Sequence, residues 1–271
     1  MTQDAARSTF LLAAHEVRVD LGGQPVLRGV DIDVRAGEVV GLLGPNGAGK
    51  STFLRAATRL VPLAAGRIEV MGQPLQQIGR RDLARAVAVV QQLPDAPATM
   101  LVEELVLLGR NPHLGLLARE SSHDYAAVTS AMRRAGCEEF ATRPLHTLSG
   151  GQRRRAFIAR ALAQEPRLML LDEPNANLDV QAQAEAFELL RQLAREGVGV
   201  LVAVHDLTLA AAYCDRAVLL AEGRVIASGT PAEVVTPETV ARVYGDRVAV
   251  IPHPQSGAPI VVPAVMEQPH A

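Results

Sequence analysis

The stretch Gly41-Leu-Leu-Gly-Pro-Asn-Gly-Ala-Gly-Lys-Ser-Thr52 limits what this chain can fold into more than any other. An apolar run, Glu38–Leu43, precedes it, and a helical pattern opens at Thr52-Phe53-Leu54-Arg55. Residues 44–51 match G-x-x-x-x-G-K-[ST] in the strand–loop–helix setting that gives the pattern its meaning. The glycines let the backbone wrap a phosphate with N–H groups pointing inward, and the helix N-terminus adds positive potential. Lys50 is the only lysine; every other one of the 27 Lys and Arg residues is arginine. A compact ammonium suits a cavity that the longer, planar guanidinium fork does not fit. Ser51 can offer its hydroxyl to a divalent cation carried by the phosphates. Gly44, Pro45, Asn46, Gly47, Ala48, Gly49, Lys50, Ser51 and Thr52 form the candidate phosphate-binding set.

A loop of this kind needs a sheet behind it. Glu38–Leu43, Ala86–Val90, Leu168–Asp172, Val198–Val204 and Ala217–Leu220 read as strands whose near-continuous apolarity suits burial on both faces, as in a parallel sheet. Glu16–Leu21 and Val30–Arg35 alternate apolar with polar, which predicts a half-exposed antiparallel layer. Between about Leu93 and Glu165 the strand signal gives way to helical patterns, read as a helical subdomain inserted into the α/β core. The expected organisation is a core over about 8–92 and 166–245, the helical subdomain over about 93–165, and a proline-rich tail over 246–271 with one hairpin.

Composition removes several classes. No apolar run reaches the roughly 18 residues of a membrane-spanning helix, and the N-terminus lacks a secretory signal pattern. A net charge of −2 and 3 % aromatic residues argue against a nucleic-acid binder. Cys137 and Cys214 are far apart, lack metal-ligand spacing and read as reduced packing residues of a cytosolic protein.

Leu168-Met-Leu-Leu-Asp172-Glu173 is an apolar strand ending in two acids. Adjacent strand residues normally face opposite sides, but at a strand's C-terminal end both can reach the crevice where α/β ligands sit. Asp172 is expected to hold magnesium, and Glu173 to act as general base for an attacking water.

Leu148-Ser-Gly-Gly-Gln152 follows the phosphate loop by about a hundred residues and precedes Asp172 by twenty. With these motifs in this order the chain resembles the ATP-binding-cassette ATPases over about residues 10 to 245. The resemblance implies a P-loop NTPase core with a RecA-like, mostly parallel sheet, an antiparallel β layer and an inserted helical subdomain. It implies that ATP and Mg²⁺ are bound and ATP hydrolysed. Gln91 matches the family's Q-loop glutamine, which senses Mg²⁺ and the transport partner. Ser149, Gly150, Gly151 and Gln152 match the signature that meets the ATP held by the other subunit; Asn177-Leu178-Asp179 matches the D-loop; His205 matches the switch histidine. One position departs from the pattern: where an aromatic residue usually stacks on adenine, this chain has Leu21. Arg153-Arg-Arg155 reads as a solvated face of a helix.

Among cassette proteins, the chain lacks the long coiled coil of soluble DNA-repair members, the second cassette of ribosomal ones and the fused membrane helices of exporters. Intact Glu173 and His205 disfavour a catalytically dead regulator. The resemblance then implies an importer subunit, expected to be a homodimer on the cytoplasmic face of the membrane, docked through about 93–117 on separate permease subunits and served indirectly by a substrate-binding protein. Leu107-Leu-Gly-Arg-Asn-Pro-His113, Ala203–Tyr213 and Ile251-Pro-His-Pro254 resemble subunits that energise uptake of vitamin B12, ferric siderophores or haem. Glu173–Val180 and Tyr213-Cys-Asp215 lean towards the B12 branch.

Overall fold

A computed structural model of the chain describes residues 10–92, 96–115, 119–175 and 178–264. The chain opens with the hairpin β1 (Phe10–Leu21) and β2 (Gln24–Arg35). Its two-residue turn, Gly22-Gly23, has φ of 57° and 78°, the doubly left-handed turn that matches strand twist and that glycine adopts without strain. β3 (Val39–Leu43) then enters the core and leads through the phosphate loop into α1 (Lys50–Ala57). β4 (Ala65–Val70) and β5 (Gln73–Pro74) return to the first layer, giving the antiparallel order β2-β1-β4-β5. β1 is longer than its alternating segment predicts, because register shifts along its pairing with β2 break the period of two.

α2 (Arg80–Ala86) feeds β6 (Val87–Val90), after which come α3 (Val102–Leu107), α4 (Ser122–Arg134) and α5 (Gly150–Leu162). The second half runs β7 (Leu168–Asp172), α6 (Val180–Arg195), β8 (Gly199–Val204), α7 (Leu207–Tyr213), β9 (Arg216–Ala221) and β10 (Arg224–Gly229). The central sheet has the order β10-β9-β3-β8-β7-β6; its strands are parallel except β10, an antiparallel edge strand. All five predicted core strands are present, and each is covered on both faces. Val40, Leu42, Leu168, Leu170, Leu201 and Ala203 face the antiparallel layer and α1; Leu43, Val90, Met169, Leu171, Val202 and Val204 face the helices of the other side. That double burial is why these strands show no alternation.

The helical stretch is one packing unit with the second face. Val102, Leu105, Val128, Phe157 and Leu162 belong to the same apolar cluster as Val90 and Met169. The stretch Leu107–His113 is anchored on the C-terminal end of α5. A Cβ on Gly109 would lie 2.2 Å from the Arg160 carbonyl oxygen, so the two backbones touch there. Arg110, 1 % exposed, donates to Asp124 Oδ1 at 2.9 Å, to Glu165 Oε2 at 2.7 Å and to the Ala163 carbonyl at 2.7 Å. His113 Nε2 lies 2.9 Å from the Gln164 carbonyl.

α8 (Pro231–Val234) and α9 (Pro237–Tyr244) lead to the hairpin β11 (Val248–Pro252) and β12 (Pro259–Pro263). This hairpin docks on the body: the Val261 N–H donates to Thr208 Oγ1 on α7 at 2.9 Å, and Val248, Val250 and Val261 pack against the main cluster. Both cysteines are buried and free, and burial pushes each thiol up to about 12.

Candidate functional site

The phosphate loop closes on itself and on the strands around it. Gly44 has φ 142°, and a Cβ there would lie 2.2 Å from the Leu220 carbonyl oxygen, so only glycine lets β3 leave the sheet beside β9. Gly49, φ 107°, caps α1 in the left-handed region, with Leu27 2.6 Å from where a Cβ would stand. Lys50, 5 % exposed, donates to the Gly44 carbonyl at 2.7 Å and the Pro45 carbonyl at 3.2 Å. Burial lowers its pKa; the nearby Glu173 and Asp172 carboxylates oppose that shift.

The two acids at the end of β7 both lie against the phosphate loop, Asp172 at Ser51 and Glu173 at Lys50, and the backbone shows how. Glu173 has φ 45°, a left-handed conformation that breaks the strand's alternation immediately after Asp172. Such a conformation is unfavourable for a side-chain-bearing residue and concentrates at functional sites. Its N–H is held by the Ala203 carbonyl at 3.0 Å. Asp172 accepts a hydrogen bond from Ser51 Oγ at 3.0 Å. The Glu173 carboxylate, 15 % exposed, stands between three groups: Lys50 Nζ at 3.8 Å, His205 Nδ1 at 3.7 Å and Gln92 Nε2, which donates to it at 2.8 Å. His205 is half-exposed where β8 ends, not a buried packing histidine.

Sequence reasoning grouped Gln91 with Ser51 and Asp172 as candidate magnesium residues, and these three line one cleft. The structure brings the Gln92 amide, not that of Gln91, onto Glu173. In a Gln-Gln pair at a strand exit, residue types alone do not say which side chain turns inward. The reading of Arg153–Arg155 as a solvated face is corrected at its middle member. Arg154 is 8 % exposed, because it lies on the same face of α5 as Phe157, Ile158 and Ala161. That helical spacing was the available signal. Its neighbours stay at the surface: Arg153 lies over the Phe157 ring, and Arg155 pairs with Glu185 at 2.6 Å.

Ser149 caps α5 in a reciprocal box with Gln152: its Oγ accepts from the Gln152 N–H at 3.2 Å, and Gln152 Oε1 accepts from the Ser149 N–H at 3.1 Å. Asp179 caps α6, accepting from the Ala182 N–H at 2.8 Å. Ser149, Gly150, Gly151, Gln152 and Asp179 line one cleft of about 420 Å³, which shares no lining residue with the cleft beside Ser51 and Asp172. Asn177 lies outside the described residues. Leu21, 40 % exposed, sits at the β1–β2 turn.

A glycine loop on a buried lysine, two acids ending a parallel strand of the same sheet and a capped glycine pair opening a second helix define a P-loop nucleoside triphosphatase. The family model described as ABC transporter matches residues 27–176, and the chain belongs to that family. It is 48 % identical to the hemin import ATP-binding protein HmuV of Streptomyces coelicolor, over 96 % of this chain and 92 % of the relative. Against the ferric enterobactin transport ATP-binding protein FepC of Escherichia coli the identity is 40 %, covering 97 % and 96 %. The cobalamin import ATP-binding protein BtuD of Halobacterium salinarum is 42 % identical over 90 % of this chain and 61 % of its own length. Among solved structures, an inward-facing transporter assigned to the metal-chelate type superposes with a TM-score of 0.82 at 26 % identity, covering 95 % of this chain and 98 % of that one. As a member of this family the chain binds ATP and is an ATPase. Among the described residues no helix is long and apolar enough to cross a membrane.

Proposed function

We propose that the chain hydrolyses MgATP to power import of a metal chelate through separate permease subunits, and that Glu173 is its general base. The observation that carries this reading is the convergence of Lys50, Gln92 and His205 on one buried-edge carboxylate. The phosphate loop and Lys50 hold the β- and γ-phosphates of ATP. Ser51 Oγ and Asp172 Oδ1, 3.0 Å apart, supply the all-oxygen donor set that suits magnesium. Magnesium held there would neutralise charge developing on the phosphates. Glu173 takes a proton from water as the water oxygen attacks the γ-phosphorus; the bond to the β–γ bridging oxygen breaks, leaving ADP and phosphate. His205 stands where it can donate to the γ-phosphate, and Gln92 orients the base.

The signature residues Ser149–Gln152 line a separate cleft, so a second copy is needed to bring them to ATP. Two copies packed head to tail give two equivalent sites, closed by ATP and reopened by hydrolysis. Docking on the cytoplasmic side falls to the region 93–117, of which 93–95 and 116–117 lie outside the described residues. Beside it, Leu60, Leu83, Val89, Gln91 and Arg160 line a groove of about 710 Å³, the seat we assign to a permease helix.

Haem leads as cargo, on the similarity to HmuV; cobalamin, the cargo towards which Glu173–Val180 and Tyr213–Asp215 lean, and ferric siderophores are the other arms of an uptake assay. Glu173→Gln tests the chemistry. It should retain ATP binding while losing about 10²–10⁴ in phosphate release, the usual contribution of a positioned base; wild-type turnover would remove Glu173 from that role.

A further inference from the structure

Arg154 is the one buried arginine of the signature helix, and among the described residues its guanidinium pairs with no carboxylate. Nη1 donates to the Gln91 carbonyl at 3.1 Å, and Nη2 to the Gln92 carbonyl at 3.1 Å, with the Glu173 carbonyl at 3.5 Å. Gln91 and Gln92 leave β6, and Glu173 leaves β7, its parallel neighbour. One planar cation thus gathers backbone oxygens from both strand exits, and the two side chains that follow those backbones are the hydrogen-bonded pair Gln92–Glu173. The helix that carries Arg154 is the one Ser149 caps, five residues earlier.

We infer that Arg154 is a positioning residue, which holds the Gln91–Gln92 backbone so that the Gln92 amide stays on the Glu173 carboxylate. The inference rests on the reading of Glu173 as general base. Three features support it. The fork matches two carbonyls on successive residues, which a lysine's point charge cannot hold in one plane. A buried cation bonded to carbonyls keeps those carbonyls fixed, since releasing them would leave the charge poorly solvated. Burial lowers the Arg154 pKa, consistent with a side chain held for its geometry and not for exposed charge. Through this link, a shift of the signature helix during dimer closure would move the Q-loop backbone and the amide on the base together.

The test is a mutant cycle on ATP turnover. Rates of phosphate release are measured for wild type, Arg154→Gln, Gln92→Ala and the double variant, each per nucleotide site counted by titration with a fluorescent ATP analogue. Misfolded molecules then drop out of the comparison. Arg154→Gln should lower kcat by about 10- to 100-fold, the scale of loss when a supporting residue lets a reacting group drift. Nucleotide affinity should stay within about twofold, because Arg154 does not touch the phosphate loop. The double variant should be no slower than Gln92→Ala alone, since both changes remove the same positioning. Arg154→Lys, which keeps the charge and loses the fork, should fall between wild type and Arg154→Gln. Multiplying losses in the double variant, or wild-type kcat in both Arg154 variants, would overturn the inference. Glu173→Gln run alongside separates the two levels: normal turnover there defeats the general-base reading itself, whatever Arg154 does.

Discussion

Arg110 offers the sharpest test of how the helical stretch is held. Its side chain is 2 % exposed and that of Asp124 9 %, so Arg110→Met strands a carboxylate with little access to water. Breaking a buried pair by removing one partner typically costs about 3–5 kcal/mol. The lower end applies here, because Asp124 keeps two bonds from Ser121, from Oγ at 2.6 Å and from N–H at 2.9 Å. The half-exposed Glu165 can turn to water, and its loss adds little. About 3 kcal/mol corresponds to a fall in Tm of about 6–12 °C for a chain of this size, read by circular dichroism at pH 7. Replacing both charges, as Arg110→Met with Asp124→Asn, should recover at least half of the loss, because no buried charge is then left alone. The pH dependence follows from the direction of the Asp124 shift. Ser121 and then Arg110 hold its carboxyl well below the usual carboxylate range. The stability tied to that shift is complete above the unfolded pKa of about 4 and is lost as pH falls below it. The gap between wild type and Arg110→Met should therefore narrow below about pH 4. A single variant within about 1 kcal/mol of wild type at pH 7 would refute the reasoning.

Two further outcomes test the nucleotide site. Ser149→Arg places a long cation on the cap of α5 and should abolish ATP turnover while leaving nucleotide binding intact; unchanged ATPase would take the signature out of the reaction. Leu21→Tyr should tighten ADP binding by about 2- to 10-fold in a fluorescence titration, the equivalent of an added stacking contact of about 0.5–1.5 kcal/mol; no change would show that adenine does not lie on the β1–β2 turn.

Much of the centre could be read from residue order because its parts are local. A glycine loop between strand and helix, or an apolar strand ending in two acids, carries its geometry in a few consecutive residues. The core strands were legible for the same reason: burial on both faces leaves an unbroken apolar run. What escaped depends on how distant segments meet. Only the exit of β6 against β7 decides that Gln92 and not Gln91 meets Glu173. Arg154 looked like a third of a charge run, yet its helical phase with Phe157 and Ile158 put it inside. The left-handed turn at Glu173 cannot be seen from a residue type that rarely adopts it. The Leu107–His113 stretch, read for its likeness to chelate importers, shows a structural reason for its residues: Gly109, Arg110 and His113 each meet the end of α5.

The mass of Glu173→Gln in solution with MgATP, by size-exclusion chromatography with light scattering, bears most directly on the nucleotide sandwich. With hydrolysis blocked, the variant should run at twice its nucleotide-free mass and return to the single mass when ATP is removed. A protein that binds ATP and stays at the mass of one chain would contradict it.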